Sequence, residues 1–272
     1  MKAPAFDYVR PGSLAGVTEA LAEGEGKILA GGQSLGPMLN LRLARPPRLI
    51  DISGCAELRA VSDEGGYVIY GAAITHADIE DGRVPDPTPG WLQNAARRIA
   101  YRAIRNRGTI GGSLAHADPA ADWLTVLAGL NAEVFLRRGS EVMAFPLGQF
   151  VLGPFQTQLG VEDVLIAVRV PRPPPEARWG YTKLSTKRGE FAESLSVVFA
   201  EQNAPHARVV LGGLGRAPLI AEVELARLQT LESTVGYVAE ALPELDSAGR
   251  RLHAGVIHRA IEQLDAPGSE SR

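Results

Sequence analysis

The chain has 272 residues, 45% of them hydrophobic and 22% charged. That composition excludes a disordered chain and, at ~100–200 residues per domain, implies two or three domains. Lys and Arg total 28 against 31 for Asp and Glu, a net charge of −3, which gives no electrostatic ground for nucleic acid or an anionic membrane as the main partner.

The elements read as follows in chain order. The segment 1–8 lacks an apolar signal-peptide core, and no apolar run is long enough to span a bilayer, so a soluble, cytoplasmic protein is expected. Residues 13–23 carry Leu14, Val17, Ala20 and Leu21 at helical spacing, with Ser13 as N-cap. Residues 27–30 read as a buried strand, 37–45 as a helix and 49–52 as a second strand, together a strand–helix–strand unit with a small parallel or mixed sheet. A strand at 67–72, a helix at 75–81 capped by Thr75 or His76, a proline-rich loop at 85–90 and a helix at 91–102 follow. The stretch 105–113 reads as a loop, 118–130 as an apolar helix, and 134–136 with 142–145 as a hairpin. The strand 164–170 stops at Pro171, and the run 171–175 is a linker. Beyond it, 180–183, 194–200 and 208–211 read as antiparallel strands, 221–229, 234–242 and 251–263 as helices, and 265–272 as a frayed polar end. The lone cysteine, Cys55, forms no internal disulfide, iron–sulfur cluster or Cys-rich zinc site. Redox chemistry would therefore use a bound organic cofactor or a partner's metal centre. The five histidines match no metal-ligand spacing.

Two segments carry chemistry. Ala30-Gly31-Gly32-Gln33-Ser34-Leu35 links a strand to a helix. Glycines let the backbone approach a ligand closely, and exposed N–H groups there suit a phosphate. It has neither the spacing nor the lysine of a P-loop, nor the dinucleotide fingerprint, and an ordinary strand-to-helix turn reads the same way. Thr109-Ile110-Gly111-Gly112-Ser113 is a second such set, with Asp118 and Asp122 placed beyond it to cap a helix or to meet a sugar hydroxyl. Two loops in one chain point to a tightly held dinucleotide, whose diphosphate needs donors from more than one side.

Together with Phe6-Asp7-Tyr8-Val9-Arg10-Pro11, Ile104-Arg105-Asn106-Arg107-Gly108 and Ala115-His116-Ala117-Asp118-Pro119-Ala120-Ala121-Asp122, these segments resemble a known family. It is the medium, FAD-binding subunit of the molybdenum hydroxylases, the group that includes xanthine dehydrogenase and aerobic carbon monoxide dehydrogenase. The resemblance runs over nearly the whole chain. It implies an α+β fold: FAD-cradling α/β subdomains at 1–56 and 57–175, then a C-terminal subdomain at 176–272 with a three-stranded antiparallel sheet and helices. It implies that the backbone of Leu29, Ala30, Gly31, Gly32, Gln33, Ser34, Leu35 and Gly36, and of Thr109, Ile110, Gly111, Gly112 and Ser113, holds the diphosphate. It carries FAD contacts over to Ile99, Asp118, Asp122, Leu165, Lys183 and Phe191, the last over the flavin ring. Glu190 departs from the family's more usual aspartate. Neither a catalytic side chain nor a metal ligand is expected. The partners implied are a small [2Fe–2S] subunit, a large molybdenum subunit and an external electron acceptor, in a dimer of heterotrimers. A stand-alone flavin oxidoreductase and a non-redox scaffold that has lost flavin are the rival readings.

Overall fold

The computed structural model describes residues 2–264, so the end read at 265–272 lies outside the described residues. The first elements are β1 (Asp7–Val9), α1 (Leu14–Ala22), β2 (Gly26–Leu29), α2 (Leu35–Asn40) and β3 (Arg48–Asp51). The strands form a parallel sheet in the order β1-β3-β2. Val17, Ala20 and Leu21 of α1 are buried in one cluster with Ile50 and Ile52. The Ser13 side chain accepts from the Gly16 N–H, the expected cap. The helix expected at 37–45 instead begins at Leu35 and ends at Asn40. Arg42 adopts φ 59°, Leu43 N–H reaches Met38 O at 2.8 Å and Arg42 N–H reaches Leu39 O at 3.0 Å. This is a left-handed helix stop of the kind glycine usually makes, built here on arginine.

The middle of the chain holds β4 (Val61–Asp63), β5 (Tyr67–Gly71), α3 (His76–Glu80), α4 (Trp91–Arg98), α5 (Arg102–Arg105), α6 (Ile110–His116) and α7 (Asp122–Gly129). Then come β6 (Glu133–Arg138), β7 (Glu141–Pro146), α8 (Leu147–Phe150), β8 (Val151–Gly153), β9 (Gln156–Thr157) and β10 (Val164–Pro171). A five-stranded antiparallel sheet runs β4-β5-β10-β6-β7. Every residue of α7 is buried, because the helix is overlaid by strands of the third sheet. The single helix expected at 91–102 is two, broken at Ala100 with φ 44°. The helix expected from 118 starts at Asp122: Asp118 Oδ1 accepts from Ala120 N–H at 2.9 Å, closing a turn ahead of the helix rather than capping it. The loop expected at 105–113 already contains the first turn of α6, capped by Thr109.

The remaining elements are β11 (Arg178–Leu184), β12 (Ser194–Ala200), β13 (His206–Gly212), β14 (Leu219–Glu224), α9 (Leu231–Ala241) and α10 (Ser247–Glu262). The antiparallel sheet they build has four strands, not three. The helix expected at 221–229 is the end of β14 followed by a 3-10 turn, Leu225–Leu228. Ala, Glu and Leu are good helix formers, but Val223 faces inward with Glu222 and Glu224 outward, and pairing with β13 overrides propensity. Gly180 lets α10 close onto this sheet: a Cβ there would stand 1.7 Å from Ala260 O. Among the described residues no helix is long and apolar enough to cross a membrane.

Candidate cofactor site at the seam of two glycine loops

β2 delivers the chain to the carboxyl edge of the small parallel sheet, the edge where open α/β sheets bind ligands. There Ala30 to Ser34 turns away, with Gly32 at φ 71° and Gly36 N–H on Gly32 O at 2.9 Å. Gln33 Nε2 donates to Gly31 O at 3.0 Å, fixing the turn from within. Gly31 lies directly on the main chain of the second loop: a Cβ would stand 2.0 Å from Arg107 O and 2.8 Å from Gly108 Cα. Gly112 lies beside Ala30, its position for a Cβ being 3.7 Å from the Ala30 Cβ. The two glycine segments read from the sequence are therefore neighbours. Among the described residues, the N–H groups of Gly31, Gly32, Gln33, Ser34 and Leu35 donate to no protein acceptor. Consecutive free N–H groups of this kind form an anion-binding concavity.

The second loop works differently. Ile110 N–H donates to Ile74 O at 2.9 Å, Gly111 N–H to Ala72 O at 3.0 Å and Ser113 N–H to Thr109 O at 3.0 Å. Gly112 N–H donates to Thr109 Oγ1 at 3.0 Å. The donors expected from Ile110 to Ser113 are thus engaged inside the protein. Glycine is needed at 111 because a Cβ would stand 2.5 Å from the Ala72 Cβ and 2.7 Å from the Ala72 O. What this loop contributes is a wall brought close.

Behind that wall stands His76, which the sequence offered as an alternative cap for α3; Thr75 is the cap, and His76 is the first residue of the helix. Its Nδ1 accepts from Trp123 Nε1 at 3.0 Å, and burial lowers its pKa to about 3. The imidazole Nε2 lies 2.8 Å from where a Gly108 Cβ would be.

A third group lies where α4, α7 and β11 meet. Asp122 is 4% exposed; Tyr181 donates its hydroxyl to Oδ1, and Lys183 Nζ reaches Oδ2 at 3.0 Å. Lys183 also donates to Arg98 O at 3.2 Å, one residue before Ile99. Burial raises the Asp122 carboxyl and, with Asp122 opposite, the Tyr181 phenol. Both Asp122 oxygens accept from β11, a clasp between helix and sheet, and Tyr181 is a partner the sequence reading missed. Its signal was position, since residues 181 and 183 share one face of a strand. Leu165 is 5% exposed within the central core, Ile99 is half-buried at the α4–α5 break, and Phe191 is exposed on the β11–β12 turn. No group of three or more metal-capable side chains occurs among the described residues.

Comparison with known proteins identifies the family. Residues 4–173, which hold both loops, match the family model described as the FAD binding domain in molybdopterin dehydrogenase. The carbon monoxide dehydrogenase medium chain of Afipia carboxidovorans is 32% identical over 96% of this chain and 97% of its own. The nicotine 6-hydroxylase medium subunit of Paenarthrobacter nicotinovorans is 33% identical over 82% of this chain and 80% of its own. A chain of the carbon monoxide dehydrogenase structure from Hydrogenophaga pseudoflava, lacking the Mo-pyranopterin moiety, superposes with a TM-score of 0.86 at 28% identity, over 97% of this chain and 98% of that one. The chain belongs to the FAD-binding medium subunits of the molybdenum hydroxylase family.

Proposed function

We propose that this chain holds FAD as the electron-transfer subunit of a molybdenum hydroxylase, within a dimer of heterotrimers. A large molybdenum subunit oxidises the substrate, a small [2Fe–2S] subunit relays electrons, and an external acceptor receives them from this chain. The observation that carries the reading is the run of five free N–H groups at Gly31 to Leu35, in the loop whose Gly31 lies on the main chain of the second loop. Such a run matches the diphosphate that joins the two halves of FAD. When bound, FAD supplies the ability to exchange electrons singly or in pairs.

The chain's own part is binding and shape. The main chain of Gly31 to Leu35 supplies the donors, and the second loop closes the opposite side with α6 packed tightly behind it. Ile99 offers an apolar surface, and the Lys183 cation is held in place on Asp122. No step asks a side chain to act as nucleophile or general base.

The test is to incubate the full chain with FAD, pass it through gel filtration and read the absorption spectrum. The parent should retain one FAD per chain. Gly32→Val, at φ 71°, should retain none while keeping its far-UV circular dichroism. Stoichiometric FAD in Gly32→Val would overturn the loop assignment. In the assembled complex, substrate should bleach the flavin absorbance; clusters that reduce while it persists would favour the scaffold reading.

A further inference from the structure

Two of the chain's three tryptophans lie face to face where α4 meets β11. Trp91 opens α4, its main-chain N–H donating to the Thr88 hydroxyl at 3.0 Å. Trp179 projects from β11, and the two rings stack with centroids 5.2 Å apart and planes 10° from parallel. Phe199, paired with Trp179 across β11 and β12, meets the Trp91 ring edge-on at 6.2 Å. Both indoles are half-buried. Next on the same face of β11 comes Tyr181, only 1% exposed, its ring centroid 5.9 Å from that of Trp179. Both spacings are those of packed aromatic pairs. Three electron-rich rings thus lead from the surface to an enclosed phenol. The remaining tryptophan, Trp123, is fully enclosed and donates its indole N–H to His76.

At the inner end of this row stands a proton acceptor. The Tyr181 hydroxyl donates to Asp122 Oδ1, while Lys183 Nζ occupies Oδ2 at 3.0 Å. The Arg98 guanidinium lies 5.0 Å from the centre of the Tyr181 ring. A cation there opposes positive charge on the ring, so an electron leaves Tyr181 only if the phenolic proton leaves with it. Asp122 Oδ1 is placed to take that proton, and burial has already raised its affinity for one. An indole that has lost an electron can draw one from a phenol whose proton has such a base to go to.

We propose that Trp91, Trp179 and Tyr181 form a one-electron relay that carries oxidising equivalents from the surface to the Tyr181 phenol. Its substrate is a one-electron oxidant of the oxygen-radical class. The oxidant takes an electron from Trp91, Trp91 is refilled by Trp179, and Trp179 by Tyr181. The phenolic proton passes to Asp122 Oδ1 as the Tyr181 electron leaves. The net change is one electron to the oxidant, a neutral phenoxyl radical at Tyr181 and a protonated Asp122 carboxyl beside the Lys183 cation, with both indoles restored. A one-electron donor in solution, such as a thiolate, returns an electron along the same rings, and the proton goes back from Asp122 to the phenol. The gain is protection: an oxidised indole at the surface is open to irreversible attack, whereas a radical on Tyr181 is enclosed. The relay is built from this chain's side chains and stands apart from the FAD reading.

The test is pulse radiolysis of the full chain with azidyl radicals, which oxidise indoles selectively at neutral pH. In the parent, the long-wavelength absorbance of the indolyl radical should decay into the sharper, shorter-wavelength band of a phenoxyl radical, at a rate independent of protein concentration. Trp179→Phe cuts the relay but leaves the contacts among Tyr181, Asp122 and Lys183 in place, and it should lose that step. Tyr181→Phe, its fold checked by far-UV circular dichroism, should lose it too. A parent whose indolyl radical decays with no phenoxyl band would overturn the relay. So would a concentration-independent step that survives in Tyr181→Phe, which puts the radical on another tyrosine. Survival of the step in Trp179→Phe would do the same, because Tyr181 would then be reached by another route.

Discussion

The His76 imidazole is enclosed, accepts one hydrogen bond from Trp123, and is held neutral by burial, with the nearby Arg105 charge acting in the same direction. Its pKa falls from 6.5 to about 3. The unfolded chain therefore takes up a proton below about pH 6.5 that the folded chain refuses, so His76 makes the fold lose stability as pH falls from there toward 3. In urea unfolding between about pH 6 and pH 5, His76→Gln should lose less stability than the parent by roughly 1 kcal/mol per pH unit. Equal slopes would show that the fold accommodates the imidazolium. His116 and His253, also lowered by burial, account for a slope that persists in the variant. At this scale the sequence disclosed the glycines, whose backbone freedom is a property of the residue itself. It concealed His76 and Tyr181, whose roles depend on partners 47 and 59 positions away.

Among the elements, α6 shows most plainly why a glycine sits where it does. Gly111→Ala would drive a Cβ to 2.5 Å from the Ala72 Cβ and 2.7 Å from a main-chain oxygen, and α6 would have to shift. Chemical denaturation should find it destabilised by about 1–3 kcal/mol. Gly255→Ala, in the middle of α10 with nothing within 4 Å, should instead gain about 0.5–1 kcal/mol. The reverse ranking would remove the packing explanation. Elements with a side-chain cap were legible: Ser13 opens α1 and Thr75 opens α3 with a full capping box. Elements ended by a non-glycine in the left-handed region were not, since neither Arg42 nor Ala100 announces a stop. β14 was misread because one stretch satisfies both a helical propensity and an alternating pattern, and only its neighbouring strand decides between them.

At the scale of the molecule, the Asp122–Lys183–Tyr181 clasp joins the buried helix α7 to the third sheet, and Lys183 extends it to α4 through Arg98 O. The Lys183 and Asp122 side chains are 6% and 4% exposed. Removing one partner leaves the other charged and enclosed, so Lys183→Met should lose about 3 kcal/mol or more. Asp122→Asn combined with Lys183→Met should recover part of that loss, and a double-mutant cycle should give a coupling above about 1 kcal/mol. Additive losses would reduce the clasp to a surface-like pair. The general plan was legible at this scale, from a strand–helix–strand unit through glycine loops to an antiparallel sheet. The clasp was not, because it depends on how the sheets are stacked.

The contact of Gly31 with Arg107 and Gly108 is main chain against main chain. Such a joint has no side chain through which small substitutions can adjust it, so drift there is all-or-nothing. Tyr101 and Phe191, by contrast, are exposed side chains that can change by degrees. A lineage built on this scaffold is therefore free to vary its exposed rings while the backbone seam is inherited whole.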